Sequence, residues 1–267
     1  MDNRCIGVFD SGLGGLTAVR ELVHELPQEN IVYFGDTGRV PYGTRSAETI
    51  IKYVRQDINF LRQFDVKLVL AACGTASSAA LPAIQGEYDL PIFGVVEPAV
   101  AEAVRVCHTG KIGIIGTGGT INSGAYQTEV ARINRDLKTV AVACPMFVPL
   151  VENGYTDCEV ARLIAEEYLE PIKRFGADTV ILGCTHYPLL KGVISSIMGS
   201  GVSLIDTGAQ AARQVASFLR QNGLTGNGGG SVRYFVSDSV DHFASLGGMF
   251  LETTIHSRVE KINIEDY

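Results

Sequence analysis

The sequence predicts an α/β protein built from two pseudo-symmetric, doubly wound domains with mostly parallel sheets. Three observations predict it. Short β-branched runs alternate with longer helical patterns through most of the 267 residues, which is how consecutive βαβ units read. Leu68–Thr75 and Thr179–His186 follow one plan: an apolar run suited to a buried strand stops at a cysteine, and small or hydroxyl residues follow where the chain must turn. Ile6–Gly12 (IGVFDSG) and Ile112–Gly118 (IGIIGTG) also echo each other. Gly7 precedes Gly113 by 106 residues and Cys73 precedes Cys184 by 111, so one unit is duplicated with small insertions or deletions.

In chain order, the first half is expected to run strand 4–9, helix 14–26, strand 30–34, helix 46–64, strand 67–72, helix 76–86 and strand 91–95. The second half continues with helix 98–107, strand 111–115, helix 122–135, strand 139–143, helix 157–175, strand 178–182, helix 188–198 and strand 202–205. Runs such as NIVYF, KIGII and DTVIL are too short for helices and rich in branched aliphatic residues, as buried strands are. A last helix, 207–222, carries apolar residues at helical spacing through Ala212, Val215, Ala216 and Leu219. Gly223–Gly230 contains three consecutive glycines and no apolar anchor after Leu224, so it reads as a flexible surface loop. A strand at 232–236 follows. One strand and a short helix cannot bury a core alone, which returns the tail to the first domain. The expected domains are therefore 1–97 plus 207–267, and 98–206. Ligands of such sheets bind beyond the carboxyl ends of the strands, where Asp10, Asp36, Cys73, Thr117 and Cys184 all fall. Each half then brings one cysteine to a shared cleft.

Composition narrows the function. A formal charge of −7 and no basic stripe argue against nucleic acid as a partner. No signal-like N-terminus and no apolar run near 20 residues is present, so neither membrane insertion nor export is expected, and the protein reads as cytoplasmic. The chain begins a few residues before its first strand, so no added N-terminal regulatory segment is expected. Six cysteines without a CxxC pair fit free thiols in a reducing compartment better than a disulfide framework or zinc knuckle.

A thiolate is a good base once a donor, cation or helix N-terminus stabilises it. Two thiols flanking a carbon, one ionised and one protonated, suit proton abstraction from one face and return to the other. Cys73 and Cys184 meet that demand as a pair, whereas a lone cysteine would pass as a small buried hydrophobe. Asp10 ends the first strand and His186 lies two residues beyond Cys184, so either can orient a thiol or exchange protons with it. Asp10–Leu16 places small residues and a hydroxyl at a helix start, suited to a carboxylate or phosphate. It is no dinucleotide loop, since Thr17 stands where the fingerprint needs glycine; Gly116–Thr120 fails the same test at Ile121. Thr75, Thr117, Thr120 and Thr185 offer hydroxyl donors for a small carboxylate ligand. No lysine stands at a strand end to form a Schiff base, so no pyridoxal cofactor is implied. A metal site through Cys73, Cys184 and His186 lacks usual zinc spacing and a fourth ligand.

These residues assemble into Phe9–Gly15 (FDSGLGG), Gly35-Asp36-Thr37 with Arg39 and Pro41-Tyr42-Gly43, and Gly183–Pro188 (GCTHYP). With them the chain, from about Ile6 to Phe250, resembles the glutamate racemases of the cofactor-independent aspartate/glutamate racemase superfamily. The resemblance implies racemisation of glutamate by Cys73 and Cys184 on opposite faces of Cα, each assigned one enantiomer, with D-glutamate feeding peptidoglycan synthesis. It implies that Asp10, Glu152 and His186 assist the thiols. Ser11, Tyr42, Gly43, Thr75, Thr117, Thr120 and Thr185 match substrate-binding positions, and a homodimer without cofactor or metal is expected. Glu152 on spacing alone would pass as a surface carboxylate. Gly74, also in the substrate-binding stretch, departs from the family's usual asparagine. Loss of that amide is worth about 1–3 kcal/mol unless a backbone N–H or water takes over. A racemase of aspartate or another small amino acid, or an amino-acid binding protein without turnover, are the alternatives. A dry cleft closed by domain motion is expected to stabilise the carbanion.

Overall fold

Two parallel sheets organise the chain, which the computed structural model describes over residues 1–255 and 257–267. The strands are β1 (Cys5–Asp10), β2 (Ile31–Gly35), β3 (Val66–Ala71), β4 (Ile92–Phe93), β5 (Lys111–Gly116), β6 (Lys138–Ala143), β7 (Thr179–Leu182), β8 (Ser203–Asp206), β9 (Val232–Val236) and β10 (Val259–Lys261). One sheet runs β10-β9-β2-β1-β3-β4 and the other β6-β5-β7-β8. The block β2-β1-β3-β4 and the block β6-β5-β7-β8 share one winding, so the echo in sequence is a duplication in topology. Phe9 lies opposite Phe34 and Ala71 in the first sheet, and Ile115 opposite Val142 and Leu182 in the second.

Strand alternation sends successive side chains to opposite faces, and both faces of each sheet are covered. Phe9, Val32 and Phe34 join a cluster on one face of the first sheet. Ile112, Ile114 and Ile181 join another on the second. Val8, Tyr33, Ile115 and Leu182 point the other way, into a third cluster that runs through both halves. Burial on both faces explains why the strands read as continuous apolar runs. The helix Thr207–Gln221 leaves β8 and packs against Leu16–Glu25 of the first half and Val96–Val106.

Several elements differ from expectation for local reasons. The helix expected at 76–86 is two, Gly74–Ala79 and Leu81–Ile84, because Pro82 lacks the N–H that would continue the ladder. The helix expected at 122–135 starts earlier, at Gly118, and divides at Gly124, whose φ of 66° is left-handed. Phe147–Glu152 is an additional helix. The tail is larger than one strand and a short helix: β9 pairs with β2, β10 with β9, and the 12-residue helix Val240–Leu251 buries Phe243 and Phe250 in the shared cluster. The loop expected to be flexible is held by polar anchors instead. Lys67 Nζ donates to Leu224 O at 2.9 Å and to Glu29 Oε2 at 2.5 Å, and Glu29 Oε1 accepts from Gly226 N at 2.7 Å. An apolar-anchor criterion does not register such a clamp. Among the described residues no helix is long and apolar enough to cross a membrane.

Candidate active site

Cys73 and Cys184 each sit two residues past a strand that occupies the same place in its sheet, β3 in one and β7 in the other. The equivalent turns bring both to the seam between the halves. Cys73 caps the helix Gly74–Ala79, its sulfur accepting from Ala76 N at 3.4 Å and donating to Ser11 Oγ at 3.6 Å. Cys184 lies 4.0 Å from His186 Nδ1. His186 Nε2 in turn is 3.0 Å from Glu152 Oε1. A carboxylate only accepts, so Nε2 carries a ring proton, while Nδ1 faces Cys184 and the Thr185 hydroxyl, 3.4 Å away. The additional helix Phe147–Glu152 delivers Glu152, and the tail helix delivers Phe250, whose ring meets His186 edge to face at 5.1 Å.

Burial raises both thiols above the ordinary cysteine range. Burial pushes Cys73 up to about 11, with the charge of Asp10 adding to it and the Ala76 N–H opposing it. Burial pushes Cys184 up as well, reinforced by Cys73 and Asp10. Asp10 is fully buried at the end of β1; one oxygen accepts from Gly12 N at 2.9 Å and the other has no partner among the described residues. Burial raises its carboxyl too, partly offset by His186.

The turn after β1 packs directly on the turn after β7. A Cβ on Gly14 would stand 2.5 Å from His186 Nδ1, so glycine there is a condition of the approach. Thr17 Oγ1 ties the two turns by donating to Gly14 O at 2.9 Å, and it lies 3.2 Å from Thr185 O. Tyr33 OH fixes the first turn through Gly12 O at 2.7 Å. Across the seam, the hydroxyls of Thr75, Thr117 and Thr120 form a triangle with sides of 3.0, 3.3 and 3.1 Å. Gly43 abuts Thr117, where an added Cβ would lie 2.9 Å from the threonine Cβ.

The structure thus brings together Asp10, Ser11, Cys73, Gly74, Thr75, Thr117, Thr120, Glu152, Cys184, Thr185 and His186, with Gly43 at the rim. Tyr42 is different: its hydroxyl bonds Asp36 and Asp57, while the next residue, Gly43, abuts Thr117. Gly74 presents a backbone surface, since a Cβ there would overlap the Gly183 carbonyl oxygen. Sequence reasoning passed over Tyr126, a buried residue whose hydroxyl has no partner among the described residues and whose ring would touch a Cβ on Gly183 at 3.3 Å. Nothing in its local pattern distinguishes it from a core tyrosine. What the arrangement offers chemically is two buried thiols from opposite halves, a carboxyl beside one, and an oriented imidazole beside the other.

Comparison with known proteins gives a consistent picture. The family model for Asp/Glu/Hydantoin racemase matches residues 6–215. A glutamate racemase of Geobacter metallireducens is 48% identical over 250 residues, 93% of each chain. The crystal structure of a glutamate racemase isoform from Bacillus anthracis superposes with a TM-score of 0.94 at 36% identity, covering 98% of both chains. That of the Francisella tularensis glutamate racemase in complex with D-glutamate gives 0.93 at 37% identity, covering 100% of both.

Proposed function

The chain belongs to the Asp/Glu/Hydantoin racemase family, and from that membership we propose that it interconverts L-glutamate and D-glutamate through Cys73 and Cys184, without a cofactor. The observation that carries the reading is the pair of buried thiols on equivalent turns of a duplicated unit, each with its own proton-handling neighbours. One thiolate takes the Cα proton and becomes a thiol. The opposite thiol gives its proton to the other face and becomes the thiolate, so configuration inverts while the protons balance. Asp10 serves the Cys73 side and His186 with Glu152 the Cys184 side. Ser11, Gly43, Gly74 and the hydroxyls of Thr75, Thr117, Thr120 and Thr185 hold the substrate, with Tyr42 contributing its backbone.

The same reading treats residues 1–97 with 207–267, and 98–206, as bodies that part to admit glutamate and close to exclude water. It places the protein as a homodimer in the cytoplasm, where D-glutamate supplies peptidoglycan synthesis. The six unpaired cysteines agree with a reducing compartment, and the family's common dimers support the assembly. Sedimentation of the full chain checks the dimer.

The direct test incubates L-glutamate, D-glutamate and L-aspartate with the protein in D₂O and follows the α-proton by NMR and the optical rotation. Exchange with decay of rotation for glutamate alone is expected; exchange of aspartate in preference to glutamate, or of neither, would overturn the reading.

The pH profile follows from the thiols. The reaction needs one thiolate, and both groups are raised, Cys73 to about 11. The ionised fraction therefore grows with pH, and kcat/KM rises about tenfold per unit between roughly pH 6.5 and 8.5. A flat profile over that window would exclude a raised thiol as the base in the free enzyme.

A further inference from the structure

Behind the cleft, on the far side of the loop that follows β2, lies a charged cluster that the reaction scheme does not use. Asp36 and Asp57 are both fully buried, and Arg39 bridges them, donating from Nε to Asp36 Oδ2 at 2.6 Å and from a terminal nitrogen to Asp57 Oδ1 at 3.1 Å. Tyr42 Oη touches both acids, at 2.5 Å from Asp36 Oδ2 and 3.0 Å from Asp57 Oδ2. A phenol has one hydrogen to donate, so two short contacts to carboxyl oxygens require that one of the acids carry a proton. Asp36 accepts from Arg39, from Tyr42 and, at 2.8 Å, from Ser237 Oγ, whose own oxygen accepts from Gly38 N. Three donors on one carboxyl mark it as the anion. The proton then belongs to Asp57, and the buried cluster of one anion and one guanidinium is neutral.

We propose that Asp57 is a positioning residue for the racemase reaction: as a neutral acid it donates to Tyr42 Oη, Tyr42 donates to Asp36, and this chain holds the Pro41–Thr44 turn against Thr117 of the opposite half. The proposal rests on the functional reading above. The relay works through Tyr42 on Gly43, whose carbonyl also faces Gly119, where an added Cβ would come within 2.9 Å of it. Asp57 stands on the helix Ala47–Leu61. It is faced by Asp36, Arg39 and Tyr42 from the loop and by Asp10 from the end of β1. Gln56 from its own helix and Glu265 from the C-terminal segment bond Arg39, and Tyr53 lies under the guanidinium at 4.1 Å. Lys52 meets Glu265 at 3.9 Å at the exposed margin. Burial first and Asp36 second push the Asp57 carboxyl well above the ordinary aspartate range, with Arg39 opposing them.

Two substitutions separate the roles. Asp57→Asn keeps a donor toward Tyr42 and an acceptor toward Arg39, so KM for glutamate stays within about threefold of wild type. Asp57→Ala removes the donor, and KM rises about tenfold with kcat changed less than about twofold, the split expected when a loop that binds ground state and transition state alike is loosened. The infrared difference between wild type and Asp57→Asn contains a protonated-carboxyl band that shifts in D₂O. A raised folded-state pKa means that stability falls as pH climbs from the ordinary aspartate value through the raised one. An amide at this position does not titrate and has no such dependence, so the melting temperature of Asp57→Asn gains on wild type from about pH 5 to 8. Absence of the band, a gap that narrows with pH, or an Asp57→Asn variant as impaired as Asp57→Ala would each overturn the proposal. The infrared and melting readouts need no substrate, so their failure is separate from a failure of the racemase reading.

Discussion

Alanine at either Cys73 or Cys184 abolishes racemisation, lowering kcat/KM for both enantiomers by about 10³-fold or more. Each direction needs one sulfur to take the proton and the other to return it, so neither thiol is dispensable in either direction. The residual chemistry is more telling than the loss. In Cys184→Ala, Cys73 still abstracts from the enantiomer whose Cα proton faces it and returns solvent deuterium to the same face. That variant exchanges one enantiomer in D₂O without inverting it, and Cys73→Ala exchanges only the other. NMR of the α-proton in both variants, run beside optical rotation, reads this out. Exchange of the same enantiomer by both, or racemisation by either, would sink the two-thiol scheme. Both variants should fold, since each removes one sulfur from a cleft wall whose remaining ties are the Thr17 and Tyr33 hydroxyl bonds and the threonine triangle.

Gly74→Ala lowers kcat/KM on the order of 10²-fold, through the approach of the two halves, because the added methyl demands a retreat of about 1 Å at the seam. The Gly74 backbone lies against the Gly183 carbonyl, and a Cβ built there overlaps that oxygen while standing 3.6 Å from Thr120 Oγ1. Backbone carbonyl against backbone leaves no flexible end to swing aside, so the strain falls on the separation of Cys73 from Cys184. Gly74→Asn brings the amide that the family usually carries here, worth about 1–3 kcal/mol in a substrate contact. Its Cβ meets the same carbonyl, a cost of about 2.7 kcal/mol for a 10²-fold loss, so the amide offsets much of it and Gly74→Asn exceeds Gly74→Ala. Steady-state kinetics of the two variants distinguish the contributions: an unimpaired Gly74→Ala would show that closure does not depend on glycine here.

Much of the candidate site's geometry was legible in the sequence alone. Cys73 and Cys184 announced themselves by repetition, because a duplicated βα unit puts matched residues at matched turns. The threonines and Asp10 followed from the rule that strand ends gather ligands. Glu152 was legible only through family resemblance, since its helix was not expected and the histidine it orients lies 34 residues on. Tyr126, Phe250 and the Asp57 relay left no mark in local pattern: each depends on a partner far along the chain. Tyr42 matched a binding position by resemblance, and only the structure shows that its hydroxyl bonds Asp36 and Asp57.

The alternation of runs, the two cysteine turns and the glycines determined by themselves that this protein is a duplicated, doubly wound α/β fold with two thiols at strand ends. Those features are local, set by periodicity and by what a turn tolerates. Tertiary structure alone decided that His186 points one nitrogen at Cys184 and the other at Glu152, and that Gly74 meets Gly183 backbone to backbone. It alone decided that the proton of the Asp36–Tyr42–Asp57 contact has one place to reside. The reason is physical: burial and hydrogen-bond counting set protonation and orientation, and both depend on neighbours that only folding brings together.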